Sequence, residues 1–232
     1  MQLSTPELRE RFEHALAGRG FAPEDARESA TLFAEATRDG VFSHGVNRFA
    51  SYLRAVDNGR IDPAARPQVV MDAGAFVRMD GGLGPGNLNA LRAMKEATDR
   101  AAAHGVGCVA LANTNHWMRA GSYGWQAAKA GCIALCWTNT IGNLPPWGST
   151  EPRLGNNPMV IAVPRSDGEH VVLDFAQSQY SYGKLAIHSQ SGEPLPYPGG
   201  FDEAGTLTTD AAAIERTMRP LPVGMWKGAG IS

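Results

Sequence analysis

The stretch AFVRMDGGLGPGNLNALRAM, residues 75–94, decides which kind of α/β protein this chain makes. An apolar strand runs into a glycine-rich loop, Gly81 to Gly86, and the loop opens a helix carrying Leu88, Leu91 and Met94 at helical spacing. A glycine turn between strand and helix is where a Rossmann domain cradles a dinucleotide pyrophosphate. Here the fingerprint fails. With Gly82 and Gly84 as its first two glycines, Asn87 stands where Gly or Ala belongs, and Pro85 removes an amide that would meet phosphate. The segment is therefore read as a turn, and the fold as α/β but non-Rossmann.

Working outward, QVVMDA and AFVRMDG form two strands of a hairpin around Ala73-Gly74, and the helix continues through Ala97 and Ala101 to His104-Gly105. Short apolar runs follow at VGCVALAN, CIALCWTN, NPMVIAVP and HVVLDFA, each bounded by Gly, Pro, Asn or Asp, as expected of buried strands. Between Ser178 and Pro222 the reading predicts an irregular surface excursion, with periodicity only in AAAIERTM.

The first sixty or so residues read as helices. Thr5 caps the first, with Pro6 at its opening position; the second starts at Pro23 and ends near Gly40; the third begins at Ser43 and buries Val46, Phe49, Tyr52, Leu53 and Val56. The expected organisation is a helical segment over 1–67 and a mixed α/β region over 68–232. The chain stops at WKGAGIS, where a glycine-marked turn should launch another element, so a carboxyl-terminal part is expected to be absent.

Composition narrows the function classes. Twenty-one Lys and Arg against 23 Asp and Glu leave a net charge of -2, so no global positive field exists to hold nucleic acid or an anionic membrane. The amino terminus lacks the apolar core of a secretory signal, and a cytoplasmic protein is expected. Cys108, Cys132 and Cys136 sit in apolar runs, which suits reduced, buried thiols, and their spacing matches no zinc site.

Two constellations can carry chemistry. A Ser43 cap would place His44 in the opening turn of a helix, with Arg48 one turn later on the same face. Arg can then clamp a carboxylate while His passes a proton to an adjacent carbonyl, the arrangement that a 2-oxo acid needs. The positive end of a helix opposes the imidazolium form, so a carboxylate or anionic substrate must compensate. The alternative is a solvated His and Arg on an exposed helix. The second constellation, NHWMRAGSYG at 115–124, follows a strand: His116 offers a second acid/base, Arg119 an anion contact, and Trp117 and Tyr123 an apolar wall. A Trp-filled turn with a satisfied His is the alternative. A third candidate is Asp174, at the end of a strand, where a carboxylate can accept both hydroxyls of an adenosine ribose and repel a 2′-phosphate, favouring NADH over NADPH. A strand-end cap is its alternative.

Taken together, SHGVNRF (43–49), NHWMRAGSYGWQAA (115–128), CWTNTIGNLPPWG (136–148), LGNNP (154–158), VVLDFA (171–176) and WKGAGIS (226–232) resemble the type-2 malate/L-lactate dehydrogenase family. The resemblance implies a homodimeric oxidoreductase using NAD, with a nucleotide domain built on a largely antiparallel sheet and a sugar-derived 2-oxo acid as substrate. Malate, lactate or ureidoglycolate, or a truncated non-catalytic paralogue, are the other possibilities it leaves. It implies His44 as proton donor, His116 at the reacting centre and Arg48 on the substrate carboxylate; Ser43, Arg119 and Tyr123 are the further expected substrate contacts. Cofactor contacts are implied for Thr140, for His170, Val171, Val172, Leu173, Asp174, Phe175 and Ala176, and for Trp226 and Lys227.

Overall fold

A computed structural model describes residues 3–224, so the expectations for Trp226 and Lys227, and for a turn at WKGAGIS, lie outside the described residues. Helix α1 spans Thr5–Ala17, α2 Pro23–Arg38 and α3 Val46–Asp57, with a 3-10 turn at Phe42–His44. Strands β1 (Gln68–Ala73) and β2 (Phe76–Asp80), helix α4 (Gly86–His104), strand β3 (Cys108–Ala112) and helix α5 (Gly121–Lys129) follow. Then come β4 (Ala134–Trp137), β5 (Met159–Val163), β6 (Val171–Phe175), α6 (Tyr182–Ser191), β7 (Gly200–Phe201), β8 (Leu207–Thr208) and α7 (Ala211–Thr217).

The chain forms two compact units: Met1–Ala134 with Ala162–Val172, and Leu135–Ile161 with Leu173–Ser232. The boundary expected near residue 67 is thus not where the structure divides. The reason is packing: Phe12, Leu16, Phe33, Phe49 and Tyr52 of the first three helices share one core with Leu88 of α4 and Met118. An N-terminal helical layer cut at 67 would leave that core open.

In the first unit, β1 pairs antiparallel with β2, and β2 pairs parallel with β3. The strands β2 and β3 are joined by α4 as a parallel β-α-β crossover. This sheet is therefore mixed, against the largely antiparallel expectation. A second sheet has the order β4-β5-β6, and β7 pairs antiparallel with β8. The strands are less buried than their apolar runs predict: β3 alternates between exposed and half-buried residues, β1 is exposed throughout, and Cys108 lies at the surface. A run of apolar residues reports a strand, and only its neighbours decide which faces are covered.

Several local readings change. Ser4, not Thr5, caps α1, in a capping box closed by Glu7. Helix α6 was missed inside the supposed excursion; its signals are the Ser181 cap, whose side chain accepts from Lys184 N–H, and Gly192 at φ 73° beyond its end. Among the described residues no helix is long and apolar enough to cross a membrane.

The glycine-rich loop is a packing device. Residues Gly86 to Ala90 at the start of α4 are buried, which closes this helix end to an anion. Asn87, the residue that breaks the dinucleotide fingerprint, donates to Ser29 Oγ at 2.8 Å and accepts from the buried Tyr52 hydroxyl at 3.1 Å. Burial pushes the Tyr52 hydroxyl pKa upward, so it stays a protonated donor to that amide.

Candidate active site

The first histidine is presented by the end of α2. Val41 N–H donates to Ala36 O at 2.8 Å and His44 N–H to Val41 O at 3.0 Å, which bends the chain into the 3-10 turn. A Cβ on Gly45 would lie 2.3 Å from Thr37 Oγ1 and 2.8 Å from Thr37 N, so only glycine lets the chain pass. Val46 N–H then donates to Thr37 Oγ1 at 2.9 Å and α3 begins. Helix α3 thus starts after His44, not at Ser43. Ser43 does not cap it; its Oγ lies 3.1 Å from His44 Nδ1. His44 thus lies outside the opening turn of α3, so the positive end of that helix does not act on it from within as expected.

The second histidine is held by remote parts of the same unit. Asn115 Nδ2 faces the carbonyls of Leu83 at 2.7 Å, Gly84 at 3.1 Å and Arg60 at 3.1 Å. A Cβ on Gly86 would sit 2.0 Å from Asn115 O and 2.4 Å from His116 O, so the glycine-rich loop makes room for this segment rather than for phosphate. Met118, at φ 62°, turns its N–H back onto His116 Nδ1 at 2.9 Å while its side chain enters the core.

These supports bring the two rings together. The His44 and His116 centroids are 5.8 Å apart with 25° between the ring planes. His116 is exposed at the surface, yet desolvation by the protein around it, then the positive field of Arg48 and the neighbouring His44, lowers its pKa to about 4. Because Nδ1 accepts the Met118 N–H, the proton of the neutral ring belongs on Nε2. Arg48 is exposed and, among the described residues, carries no ion pair. A guanidinium with no ion pair among the described residues can receive an anion.

Two of the expected substrate contacts are used otherwise. Arg119 gives its charge to Asp39, Nη1 to Oδ2 at 2.5 Å, with its side chain 17% exposed. Tyr123 is only 2% exposed, and its hydroxyl donates to the carbonyls of Asn87, at 3.2 Å, and Trp117. Through the Trp117 carbonyl it braces the histidine loop. Sequence reasoning missed Asp39, Thr37, Gly86 and the Met118 amide. Of these only Gly86 left a signal, as one of the glycines misread as conformational punctuation.

Of the expected cofactor residues in the first unit, His170 accepts Arg165 N–H at Nδ1 (3.2 Å) and tilts against Trp125, and Val172 packs on the cluster around Ala127 and Ala162. Val171 is exposed on β6. In the second unit, Leu173 and Asp174 are exposed while Phe175 and Ala176 are half-buried. Asp174 and, above all, burial push the Cys136 thiol up to about 11. Thr140 donates to Asn156 Oδ1 and Asn157 Oδ1, each at 3.2 Å, and accepts from Asn157 N–H.

A family model for malate/L-lactate dehydrogenase matches residues 3–232. The chain belongs to this family. It is 47% identical over all 232 residues to 2,3-diketo-L-gulonate reductase of Citrobacter koseri and spans 69% of that relative. Among solved structures, sulfolactate dehydrogenase from Methanocaldococcus jannaschii superposes with a TM-score of 0.91 at 32% identity, covering 100% of this chain and 67% of that one. Malate dehydrogenase from Entamoeba histolytica gives 0.92 at 26% identity, covering 99% of this chain and 64% of its own. The chain therefore spans about two-thirds of the length of the family members it matches. Those family members are dehydrogenases and reductases by name, and the mixed α/β architecture described above is theirs too.

Proposed function

We propose that this protein is an oxidoreductase that reduces a sugar-derived 2-oxo acid with NADH, with 2,3-diketo-L-gulonate as substrate and 3-keto-L-gulonate as product. One observation carries the reading: two stacked imidazoles, one of them within the field of a guanidinium that forms no ion pair among the described residues. The substrate class follows the similarity to the Citrobacter koseri reductase. The match to malate and sulfolactate dehydrogenases favours, as a second reading, a sister 2-hydroxy acid dehydrogenase.

Arg48 holds the substrate carboxylate, which orients the neighbouring keto group toward the two rings. When bound, the reduced nicotinamide supplies the hydride that the carbonyl carbon accepts. His44 gives a proton to the oxygen as its electron pair develops, leaving an alcohol on the substrate and a neutral imidazole on the protein. His116 remains neutral and donates a hydrogen bond from Nε2, polarising the same oxygen without losing its proton. Asp174, exposed on β6, suits the hydroxyls of an adenosine ribose, and its charge disfavours a 2′-phosphate, so NADH is preferred over NADPH. Thr140, His170 to Ala176, Trp226 and Lys227 complete the proposed cofactor set, on a nucleotide-binding region of non-Rossmann type. A cytoplasmic homodimer completes the reading, on the strength of the family resemblance.

The test is absorbance of NADH in the presence of 2,3-diketo-L-gulonate, pyruvate, oxaloacetate and ureidoglycolate's oxo counterpart. Preference for the sugar acid is the expected outcome. Turnover only with a small oxo acid selects the sister activity, and none with any of them makes the chain a non-catalytic paralogue.

A further inference from the structure

The expected substrate contact Arg119 instead forms an ion pair, and the position of that pair has a use. We propose that Asp39 and Arg119 form a clasp that sets the spacing of His44 and His116, making both positioning residues rather than substrate contacts. Asp39 is the first residue beyond α2, and the chain from it to His44 is pinned at Val41, His44 and Gly45 by hydrogen bonds to Ala36, Val41 and Phe42. Arg119 follows Met118, whose backbone turn holds His116 at Nδ1. A bond between Asp39 and Arg119 therefore joins the two histidine-bearing segments through short, constrained tethers.

The pair is built to hold. Arg38 occupies the other oxygen of Asp39, Nε to Oδ1 at 2.8 Å, so the carboxylate is gripped on both sides. Burial works against its ionisation, yet the hydrogen bonds from Arg38 and Arg119 prevail and its pKa is lowered. An exposed ion pair adds little to stability, but one that is partly buried and shared by two arginines constrains geometry. Reacting groups displaced by about 1 Å can lose on the order of a hundredfold in rate, so such a constraint bears on turnover.

The turnover arm of the test rests on the proposed reductase activity, so a second readout stands apart from it. In the full chain, Asp39→Asn and Arg119→Met are expected to lower kcat by roughly ten- to a hundredfold with KM held within about twofold, because Arg48 still grips the carboxylate. Arg119→Lys, which keeps the charge, is expected to restore most of kcat. A rise in KM at constant kcat would return Arg119 to the substrate and overturn the clasp. The independent readout is NMR titration of His116. Loss of the Asp39 charge alone would lower the His116 pKa further, whereas release of the ring from the surrounding protein, and with it from the fields of Arg48 and His44, raises it. An upward shift in Asp39→Asn supports the clasp even if the wild-type chain turns over no oxo acid, an outcome that would sink the reductase reading alone. A downward or absent shift in a variant that keeps its circular dichroism overturns the clasp whatever the activity.

Discussion

The two histidine-bearing segments are built by opposite strategies. The His44 turn is held mainly by residues just before it in the chain, Ala36, Thr37 and Val41, whereas the His116 loop is held by Arg60, Leu83, Gly84, Asn87 and Tyr123. The difference teaches that one ring is presented by a local motif and the other by the tertiary fold. It extends to electrostatics: desolvation, then the charges of Arg48 and His44, lowers the His116 pKa, and the Met118 N–H that Nδ1 accepts leaves the ring's donor at Nε2.

That asymmetry breaks most directly at the rings themselves. His44→Ala is expected to lower kcat by about 10² to 10⁴, the usual contribution of a general acid, and His116→Ala by less, since only a hydrogen bond is removed. Steady-state kinetics with the preferred oxo acid checks this, and a larger loss for His116→Ala would reverse the assigned roles.

A smaller effect separates the supports. Gly86→Ala must displace the backbone carbonyls of Asn115 and His116, and Gly45→Ala must displace Thr37. Each is expected to destabilise the fold by about 2 kcal/mol, with a lower Tm by calorimetry, since neither neighbour is the far end of a flexible chain. The two should differ in the ring they disturb: His116 resonances move in the first and His44 resonances in the second. Identical perturbation of both rings by either variant would mean that the segments are not independently supported.

The smallest effect is a pH slope. His116 has a pKa of about 4 in the folded protein, against about 6.5 in an unfolded chain. Between these values the unfolded chain binds a proton that the folded one refuses, so stability is full above about pH 6.5 and declines as pH falls toward 4. Urea midpoints measured across this window should fall less steeply for His116→Gln than for the wild type. An unchanged slope would remove the argument for a neutral ring.

Much of the helix and strand order was legible because its signals are local: Pro23 opens α2, Gly105 ends α4, and Ala73-Gly74 turns a hairpin. The failures were also physical. Ser43 looked like a cap, yet Thr37 takes the amide that α3 presents, and an i-to-i+9 contact leaves no mark in helical periodicity. Arg119 looked like an anion contact because a sequence cannot say that Asp39 has already claimed it.

By itself the sequence determined most of the element types, since these follow from a few adjacent residues and their backbone preferences. The meeting of His44 with His116, the pairing of Arg119 with Asp39 and the burial of Tyr123 were decided only by tertiary structure. Distant residues meet where packing of the shared core brings their segments together, and the energy of that packing belongs to the whole unit rather than to any stretch of chain.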